Sequence, residues 1–225
     1  MSTTLRTLAI LPVKRFDSAK QRLATDFSGG TRRAIVEAMV TDVLVALRRA
    51  TEVDQVLVVT RDVGVEALAH GYDADTVADP EERSHSDAAR IGIREAVARG
   101  ARRVVLVPGD CPALDPKQLD GLLQRAAAER DHPGMVLVPD RHGSGTNALV
   151  LTPPEAIVPT FGPGSHDRHV RAAEAAGLAF VVDEVPSLVL DVDTADDLEA
   201  LRVALGDWHG NAAHTRGMLS RLGRL

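Results

Sequence analysis

Two lysines and an arginine that could contact phosphate closely follow the first apolar run of the sequence. Lys14, Lys20 and Arg22 stand in the stretch AILPVKRFDSAKQRL, in a chain whose only other lysine is Lys117. A lysine ammonium is a compact point charge on a flexible stem, whereas an arginine guanidinium suits fixed bidentate pairing. Such cations could follow the negative charge that moves between phosphate oxygens when a triphosphate loses pyrophosphate. The same spacing is compatible with solvated surface residues, and both interpretations stay open on spacing alone.

Acidic residues follow two later apolar runs. Asp110 comes after VVLVP and before a proline-containing turn. A carboxylate there could bind Mg²⁺, which prefers oxygen ligands, or it could cap local backbone N–H groups. Asp191 and Asp193 are two residues apart in LVLDVD, a strand-like run that would direct both carboxylates to one face. Asp193 is the candidate second metal ligand, because Thr194 and Asp197 resemble a capping box that does not need it.

Two glycine-rich segments could bind anions. GSGTN offers backbone donors and the hydroxyl of Thr146, and FGPGS leads from Gly162 to Ser165 at the start of a predicted helix. Ser165 is expected to be the N-cap, and the free N–H groups of a first helical turn attract phosphate or carboxylate. Gly162 would let the backbone approach a ligand closely. A compact molecule with a phosphate and a carboxylate could give one anion to each segment, unless Ser165 merely caps its helix.

The two histidines beyond Ser165 are expected to have no special role. His166 and His169 are three residues apart, but no further His or Cys has the spacing of a metal ligand. Solvated positions near the start of the helix are therefore predicted for both.

Strand-like runs alternate with segments of helical period along the chain. Residues 8–11, QVLVVT, RVVLVPGD, GMVLVP, NALVLT and residues 179–185 are strand candidates. Residues 32–50 predict a helix with Ile35, Met39, Val43 and Leu47 on one face. This alternation predicts a single-domain, three-layer α/β/α fold with a mostly parallel, Rossmann-like sheet. Ligands of such sheets bind beyond the carboxyl ends of the strands. The cations, acids and glycine-rich segments are therefore expected to meet at that edge.

Length and composition restrict the function further. The 225 residues predict one domain at 1–205 and a C-terminal tail at 206–225, either flexible or a docked helix. A net charge of −6 and 3% aromatic residues argue against nucleic-acid binding. No bilayer-spanning segment or signal peptide is expected, and a single cysteine fits a reducing cytoplasm. The protein could be a monomer or a homodimer.

Five motifs carry a resemblance to a known family. In order, they are ILPVKRFDSAKQRL, VPGDCPALD, GTNALVL, FGPGS and LDVDTADDL. Together they resemble the phosphoenolpyruvate or 2-phospho-L-lactate guanylyltransferases of deazaflavin coenzyme F-420 biosynthesis, which belong to the nucleotidyltransferase class. The resemblance covers roughly residues 5–205, and GTNAL and FGPxS point most narrowly to this family.

The resemblance implies a reaction and a site. GMP would pass from GTP to phosphoenolpyruvate or 2-phospho-L-lactate, with Mg²⁺ as cofactor and pyrophosphate as the leaving group. A phosphate monoester is already largely ionised near neutral pH, with a second pKa of about 6, so no strong general base is needed. The expected roles are catalysis by Lys14, Lys20 and Arg22, nucleotide binding by Pro12, Val13, Lys14, Ser86 and Asp87, acceptor binding by Thr146, Gly162 and Ser165, and metal binding by Asp110 and Asp193.

One segment departs from the family's pattern. Many members carry GLNxA before the third long helix, where this sequence reads SHSDAARIGI with Ser86 and Asp87 near the usual asparagine. The base preference therefore stays open, as does the choice between the two acceptors. Two alternatives also remain: a related nucleotidyltransferase with another phosphorylated acceptor or a molybdopterin-type acceptor, and a non-catalytic nucleotide-binding module on the same fold.

Overall fold

The computed structural model describes residues 5–16, 20, 24, 26–128, 134–207 and 211–223. The strands are β1 (Thr7–Pro12), β2 (Gln55–Thr60), β3 (Asp75–Ala78), β4 (Arg103–Leu106), β5 (Gly134–Pro139), β6 (Thr146–Thr152) and β7 (Ala179–Val182). The helices are α1 (Gly29–Arg49), α2 (Val63–Gly71), α3 (His85–Ala98), α4 (Pro116–Ala128), α5 (Ser165–Ala175), α6 (Ala195–Asp207) and α7 (Ala213–Arg221), with a 3-10 turn at Pro186–Leu188.

The strands form one mostly parallel sheet, which confirms the predicted fold class. Their order is β3-β2-β1-β4-β6-β5-β7. Strand β1 pairs in parallel with β2 and β4, whereas β6 runs antiparallel to both of its neighbours, β4 and β5. Because β1 and β4 are parallel neighbours, the segments that follow them leave the sheet side by side. The antiparallel β6 begins at this same edge, since its first residues pair with the last residues of β5.

The hydrophobic core lies on both faces of the sheet. Alternate side chains of β1 point to opposite faces, so Ala9 and Leu11 pack with α1, α4 and α6 while Leu8 and Ile10 pack with α3. The predicted stripe of α1 is fully buried, at Ile35, Met39, Val43 and Leu47. Within the described ranges, no helix combines the length and the apolar character that a membrane span requires.

The C-terminal segment contains a docked helix. The buried carboxylate of Asp42 in α1 accepts hydrogen bonds from the backbone N–H groups of His214, at 3.0 Å, and Thr215, at 2.8 Å. These bonds satisfy donors at the start of α7, where no helical partner exists. Leu219 then packs into the core beside α1, so the described part of the tail is an integral part of the fold.

Two strand predictions near the C-terminus need correction. The strand predicted for residues 179–185 ends at Val182. The run LVLDVD is not a strand: after the 3-10 turn, its residues are irregular up to the start of α6. Leu188 and Val192 are buried in the core outside the sheet, whereas Val189 and Leu190 are only partly buried, and the sequence pattern does not distinguish this arrangement from a strand.

Candidate active site

A cavity opens at the carboxyl edge of the sheet, between the segments that follow β1 and β4. It brings together six of the predicted site residues: Pro12, Val13, Lys14, Lys20, Asp110 and Asp193. The apolar wall comes from α1, through Val36, Met39 and Val40. Arg22, the third predicted catalytic cation, lies outside the described residues.

The segment after β1 is held so that Lys14 lies at the cavity. The Arg15 backbone N–H and its guanidinium Nε both donate to the carboxylate of Glu82, each at 2.9 Å. The Phe16 N–H donates to Asp62 Oδ2 at 3.0 Å. The side chain of Lys14 is exposed and lines the cavity. The two neighbouring cations therefore differ, since Arg15 ties the segment to the fold and Lys14 faces the space where a ligand would bind.

Lys20, Asp110 and Asp193 form what we call the charge cluster. The Lys20 ammonium donates to Asp110 Oδ2 and, at 2.5 Å, to Asp193 Oδ1. Burial alone would lower the pKa of Lys20, but the two carboxylates outweigh it and raise that pKa above its ordinary value. The second oxygen of Asp110, Oδ1, is buried and has no hydrogen-bond partner among the described residues. Two carboxylates therefore contact one ammonium group, and Asp110 Oδ1 remains without a hydrogen-bond partner among the described residues.

Contacts outside the sheet hold the segments that carry Asp110, Asp191 and Asp193. The Val192 N–H donates to the carbonyl oxygen of Asp110 at 3.0 Å, which fixes the segment of Asp193 against the segment after β4. Asn147, at the start of β6, donates from its side chain to Asp191 Oδ1 at 3.2 Å. Asp191 and Asp193 therefore do not share a strand face as predicted, because Asp191 is held by Asn147 while Asp193 reaches Lys20.

The predicted capping box at the start of α6 is confirmed. The Asp197 N–H donates to Thr194 Oγ1 at 3.2 Å, and Asp197 Oδ2 accepts from the Thr194 N–H at 2.8 Å. The side chain of Asp193 is not needed as a cap and lies in the cavity instead.

The charge cluster fits a magnesium ion of the kind that substrate phosphates help to bind. The described residues contain no group of three or more His, Cys, Asp or Glu side chains arranged as a metal site. Mg²⁺ is commonly held by one or two carboxylates together with waters and phosphate oxygens, so a three-residue cage is not required. The unpartnered Oδ1 of Asp110 and the neighbouring carboxylate of Asp193 supply that smaller set.

A second group, which we call the hydroxyl cluster, consists of Thr146, Ser165 and His169. Ser165 Oγ donates to Thr146 Oγ1 at 3.2 Å, and His169 Nδ1 lies 3.0 Å from the same oxygen. His169 Nε2 accepts from the backbone N–H of Thr160 at 2.8 Å. The structure therefore brings two predicted acceptor residues into direct contact, with a histidine bonded to one of them.

The prediction of a solvated His169 is wrong. Its side chain is fully buried, and burial, followed by the charges of Arg168 and His166, lowers its pKa to about 4. His166 is only partly buried and donates its backbone N–H to the carbonyl of Ser144. The sequence signal for His169 was its position four residues after Ser165, which places both side chains on one face of α5.

Ser165 does not cap α5 as predicted. Gly164 occupies the N-cap position with φ 69° and ψ 20°, a left-handed conformation that glycine adopts without strain. Ser165 is the first residue of the helix, and its hydroxyl is free to reach Thr146. The Ser165 and His166 N–H groups already donate to the carbonyls of Gly162 and Ser144. The first turn of α5 therefore offers fewer free donors than expected.

The glycine-rich segments also differ in detail from the prediction. Gly162 has φ +105°, so its backbone conformation, rather than crowding, requires glycine. In the other segment, the Ser144 N–H donates to Asp140 Oδ1 at 2.9 Å, and the Gly143 N–H donates to the Asp140 carbonyl at 3.0 Å. Those backbone donors organise the turn, which leaves the Thr146 side chain as the group that joins the hydroxyl cluster.

Ser86 and Asp87 lie away from the cavity that holds Lys14. Ser86 Oγ accepts from the Phe161 N–H at 2.8 Å, so it ties α3 to the FGPGS segment. Asp87 accepts from the hydroxyl of Ser84 at 2.5 Å and lines a separate cavity with three arginines, Arg83, Arg90 and Arg94. The structure does not bring these two residues into the cavity of the charge cluster.

His85 and Phe161 were not singled out by the sequence. His85 lines the cavity beside Asp110, and its ring meets the Phe161 ring edge-on at 4.8 Å between centroids. The Phe161 ring in turn meets His169 edge-on at 5.3 Å. Burial lowers the pKa of His85, and the nearby ammonium groups of Lys14 and Lys20 add to that effect. A continuous row of rings therefore connects the charge cluster to the hydroxyl cluster.

Comparisons with known proteins agree with this architecture. Residues 7–224 match the family model described as guanylyl transferase CofC like. The chain is 51% identical over 218 residues to a phosphoenolpyruvate guanylyltransferase of Conexibacter woesei, covering 97% of both chains. It is 33% identical over 218 residues to a 2-phospho-L-lactate guanylyltransferase of Methanothermobacter thermautotrophicus, covering 97% of this chain and 92% of the relative. A solved nucleotidyl transferase from the same archaeon shares the fold, with a TM-score of 0.63, 20% identity and coverage of 91% of this chain and 99% of that one. The chain belongs to the family of CofC-like guanylyl transferases.

Proposed function

We propose that this protein transfers GMP from GTP to phosphoenolpyruvate or 2-phospho-L-lactate and releases pyrophosphate, as a step of coenzyme F-420 biosynthesis. The observation that carries the proposal is the meeting of two unlike clusters, one ionic and one of hydroxyls, along one edge of the sheet. The names of the relatives support both acceptors. A cytoplasmic location fits the buried, unpaired Cys111.

The cations of the cavity suit this displacement. A phosphate oxygen of the acceptor attacks the α-phosphorus of GTP, a new P–O bond forms, and the bond to the β-phosphate oxygen breaks. The nucleophile is already anionic, so the protein's task is to position the reactants and neutralise charge. Lys14 and Lys20 would contact the phosphates, and the predicted Arg22 would add a third cation. Pro12 and Val13, at the end of β1, would line the nucleotide side of the same cavity.

Asp110 and Asp193 would hold a magnesium ion beside these phosphates. When bound, the ion neutralises developing charge on the phosphate oxygens. Lys20 holds the two carboxylates close together, because its ammonium donates to both. The unpartnered Oδ1 of Asp110 is the atom that best suits the metal.

The acceptor would lie at the hydroxyl cluster. The Ser165 hydroxyl is buried and donates to Thr146 Oγ1, so the partly exposed Thr146 would meet the acceptor and Ser165 would support it. Gly162 shapes the turn that leads from Phe161 to Ser165. A three-carbon acid with a phosphate and a carboxylate has anionic oxygens that could accept a hydrogen bond from the Thr146 hydroxyl.

Pyrophosphate release tests the proposal. The protein is mixed with Mg²⁺, each nucleoside triphosphate in turn, and either phosphoenolpyruvate or 2-phospho-L-lactate. We expect release with GTP and at least one acceptor, and no release when pyruvate or lactate replaces the phosphorylated acid, because the attacking phosphate is then missing. A chelator should stop the reaction. Release with no combination would overturn the enzyme assignment, and release only with another acceptor would point to a related nucleotidyltransferase.

A further inference from the structure

We propose that His169 is a positioning residue that makes the Thr146 hydroxyl an obligate hydrogen-bond donor toward the acceptor substrate. The inference rests on the proposed function, since it assigns a role to a residue that supports the acceptor site. Two features carry it, the hydrogen-bond partners on both ring nitrogens of His169 and the crowding of donors around one oxygen of Thr146.

The partners of His169 determine its tautomer. A backbone N–H can only donate, and the Thr160 N–H points at His169 Nε2 from 2.8 Å. Nε2 must therefore be the unprotonated nitrogen of a neutral ring, and the hydrogen must be on Nδ1. The ring is fully buried, and its low pKa agrees with the neutral form at physiological pH. His169 thus donates from Nδ1 to Thr146 Oγ1, 3.0 Å away.

The Thr146 oxygen then receives two hydrogen bonds. One comes from His169 Nδ1 at 3.0 Å and the other from the hydroxyl of Ser165 at 3.2 Å. A hydroxyl oxygen has two lone pairs, so both acceptor positions of Thr146 are filled. Among the described residues its own hydrogen has no acceptor, so the bond that the group can still add is a donated one. Donors that feed an oxygen in this way also polarise its O–H group.

This arrangement selects for a hydrogen-bond acceptor without using a charge. A carboxylate or phosphate oxygen of the acceptor substrate carries only lone pairs and can accept from Thr146, whereas an ammonium group, which can only donate, finds no lone pair there. A lysine or arginine in the same place would attract GTP phosphates as well. The neutral relay from Thr160 through His169 to Thr146 therefore helps to separate the acceptor site from the nucleotide site.

Two substitutions separate the two ends of the relay. His169→Gln places an amide oxygen near the position of Nε2, so it keeps the bond from Thr160 but loses the donor to Thr146. His169→Asn places an amide nitrogen near the position of Nδ1, so it keeps the donor to Thr146 but leaves the Thr160 N–H unpaired. His70→Gln, on the exposed face of α2, is the matched control.

We expect His169→Gln to raise the KM for phosphoenolpyruvate or 2-phospho-L-lactate by roughly three- to tenfold, the equivalent of one hydrogen bond. The KM for GTP should stay within about twofold. His169→Asn should lower the melting temperature more than the glutamine variant and leave the acceptor KM near that of the wild type. A merely structural histidine would give the opposite order, with the less stable variant binding the acceptor worse, and that result would overturn the proposal.

The tautomer has a readout that is independent of activity. In ¹⁵N-labelled wild-type protein, two-bond ¹H–¹⁵N correlation spectra should show the His169 ring with hydrogen on Nδ1 and none on Nε2. Hydrogen on Nε2 would overturn the relay even if the variants failed to fold. A wild-type protein that releases no pyrophosphate with either acceptor would instead refute the proposed function.

Discussion

The two clusters at the carboxyl edge of the sheet use opposite kinds of interaction. In the charge cluster, Lys20 joins two carboxylates that come from segments distant in the sequence. In the hydroxyl cluster, every group is neutral and each hydrogen bond has a defined donor and acceptor, from Thr160 through His169 to Thr146. The first cluster provides charged groups, and the second provides hydrogen bonds of fixed direction.

This difference matches what two substrates of unequal charge require. A triphosphate carries charge that shifts between oxygens during the reaction, and mobile ammonium groups and a metal ion can follow it. A small acid instead has to be oriented so that one phosphate oxygen points at the α-phosphorus, and directional hydrogen bonds orient better than isolated charges. The comparison predicts that substitutions in the two clusters affect different kinetic constants.

The largest effect is expected for Asp110→Asn. The amide keeps the shape of the side chain but removes the negative charge that a magnesium ion requires. We expect turnover to fall by about 100-fold or more, the usual scale for losing one preorganised electrostatic group. Turnover should be measured over a range of Mg²⁺ concentrations, with the melting temperature recorded in parallel.

Asp73→Asn is the matched control for this experiment. Asp73 is exposed and has φ 54°, a conformation that asparagine also tolerates. The Asp73→Asn variant should therefore keep full activity. An Asp110→Asn protein with wild-type turnover at ordinary Mg²⁺ would exclude the charge cluster as the metal site.

Periodicity and turn chemistry predicted most of the fold. QVLVVT is β2 residue for residue, and Asp115 caps α4 by accepting from the Lys117 N–H at 2.8 Å, as the sequence Asp-Pro-Lys indicates. The proximity of Lys20 and Asp110 could also be predicted, because they follow two parallel strands, β1 and β4, whose carboxyl ends meet at one edge. The irregular path that brings Asp193 to them could not, because a strand and an irregular segment held by Asn147 can have the same sequence pattern of apolar residues.

Only two of the three residues of the hydroxyl cluster, Thr146 and Ser165, were predicted from the sequence as site residues. Thr146 and Ser165 stood out by their motifs, but the role of Ser165 depends on the backbone of Gly164, which occupies the cap position that serine was expected to fill. His169 was assigned to solvent because no metal-ligand spacing surrounded it. Its position four residues after Ser165 was the better signal, since both side chains then share the buried face of α5.

A separate effect is expected in the pH dependence of stability. His169 has a folded-state pKa near 4, below its ordinary value of 6.5. As the pH falls through 6.5, His169 binds a proton in the unfolded chain, whereas in the folded protein it does so only near pH 4. The free energy of unfolding therefore falls across that window. Between pH 7 and pH 5, His169 should contribute a loss on the order of 2 kcal/mol in the free energy of unfolding.

Denaturant unfolding of the wild type and His169→Gln at both pH values isolates this contribution. The difference between the two proteins should shrink on going to pH 5, because the glutamine variant has no proton to bind. A difference that does not change with pH would mean that the buried ring binds a proton as readily as it does in the unfolded chain, contrary to the neutral character of the hydroxyl cluster.

The different roles of the two sites are tested most directly by combining two variants with both substrates. One variant lies in the cavity that holds the charge cluster, and the other lies in the hydroxyl cluster. Steady-state kinetics are measured for Lys14→Ala and Thr146→Val, with GTP and the acceptor varied separately. Lys117→Ala, on the exposed surface of α4, serves as the control cation. We expect Lys14→Ala to lower kcat by about tenfold or more, with little change in melting temperature or acceptor KM. Thr146→Val should raise the acceptor KM by about tenfold and leave the KM for GTP nearly unchanged. Equal effects of both variants on both substrates, or equal losses for Lys14→Ala and Lys117→Ala, would contradict the account.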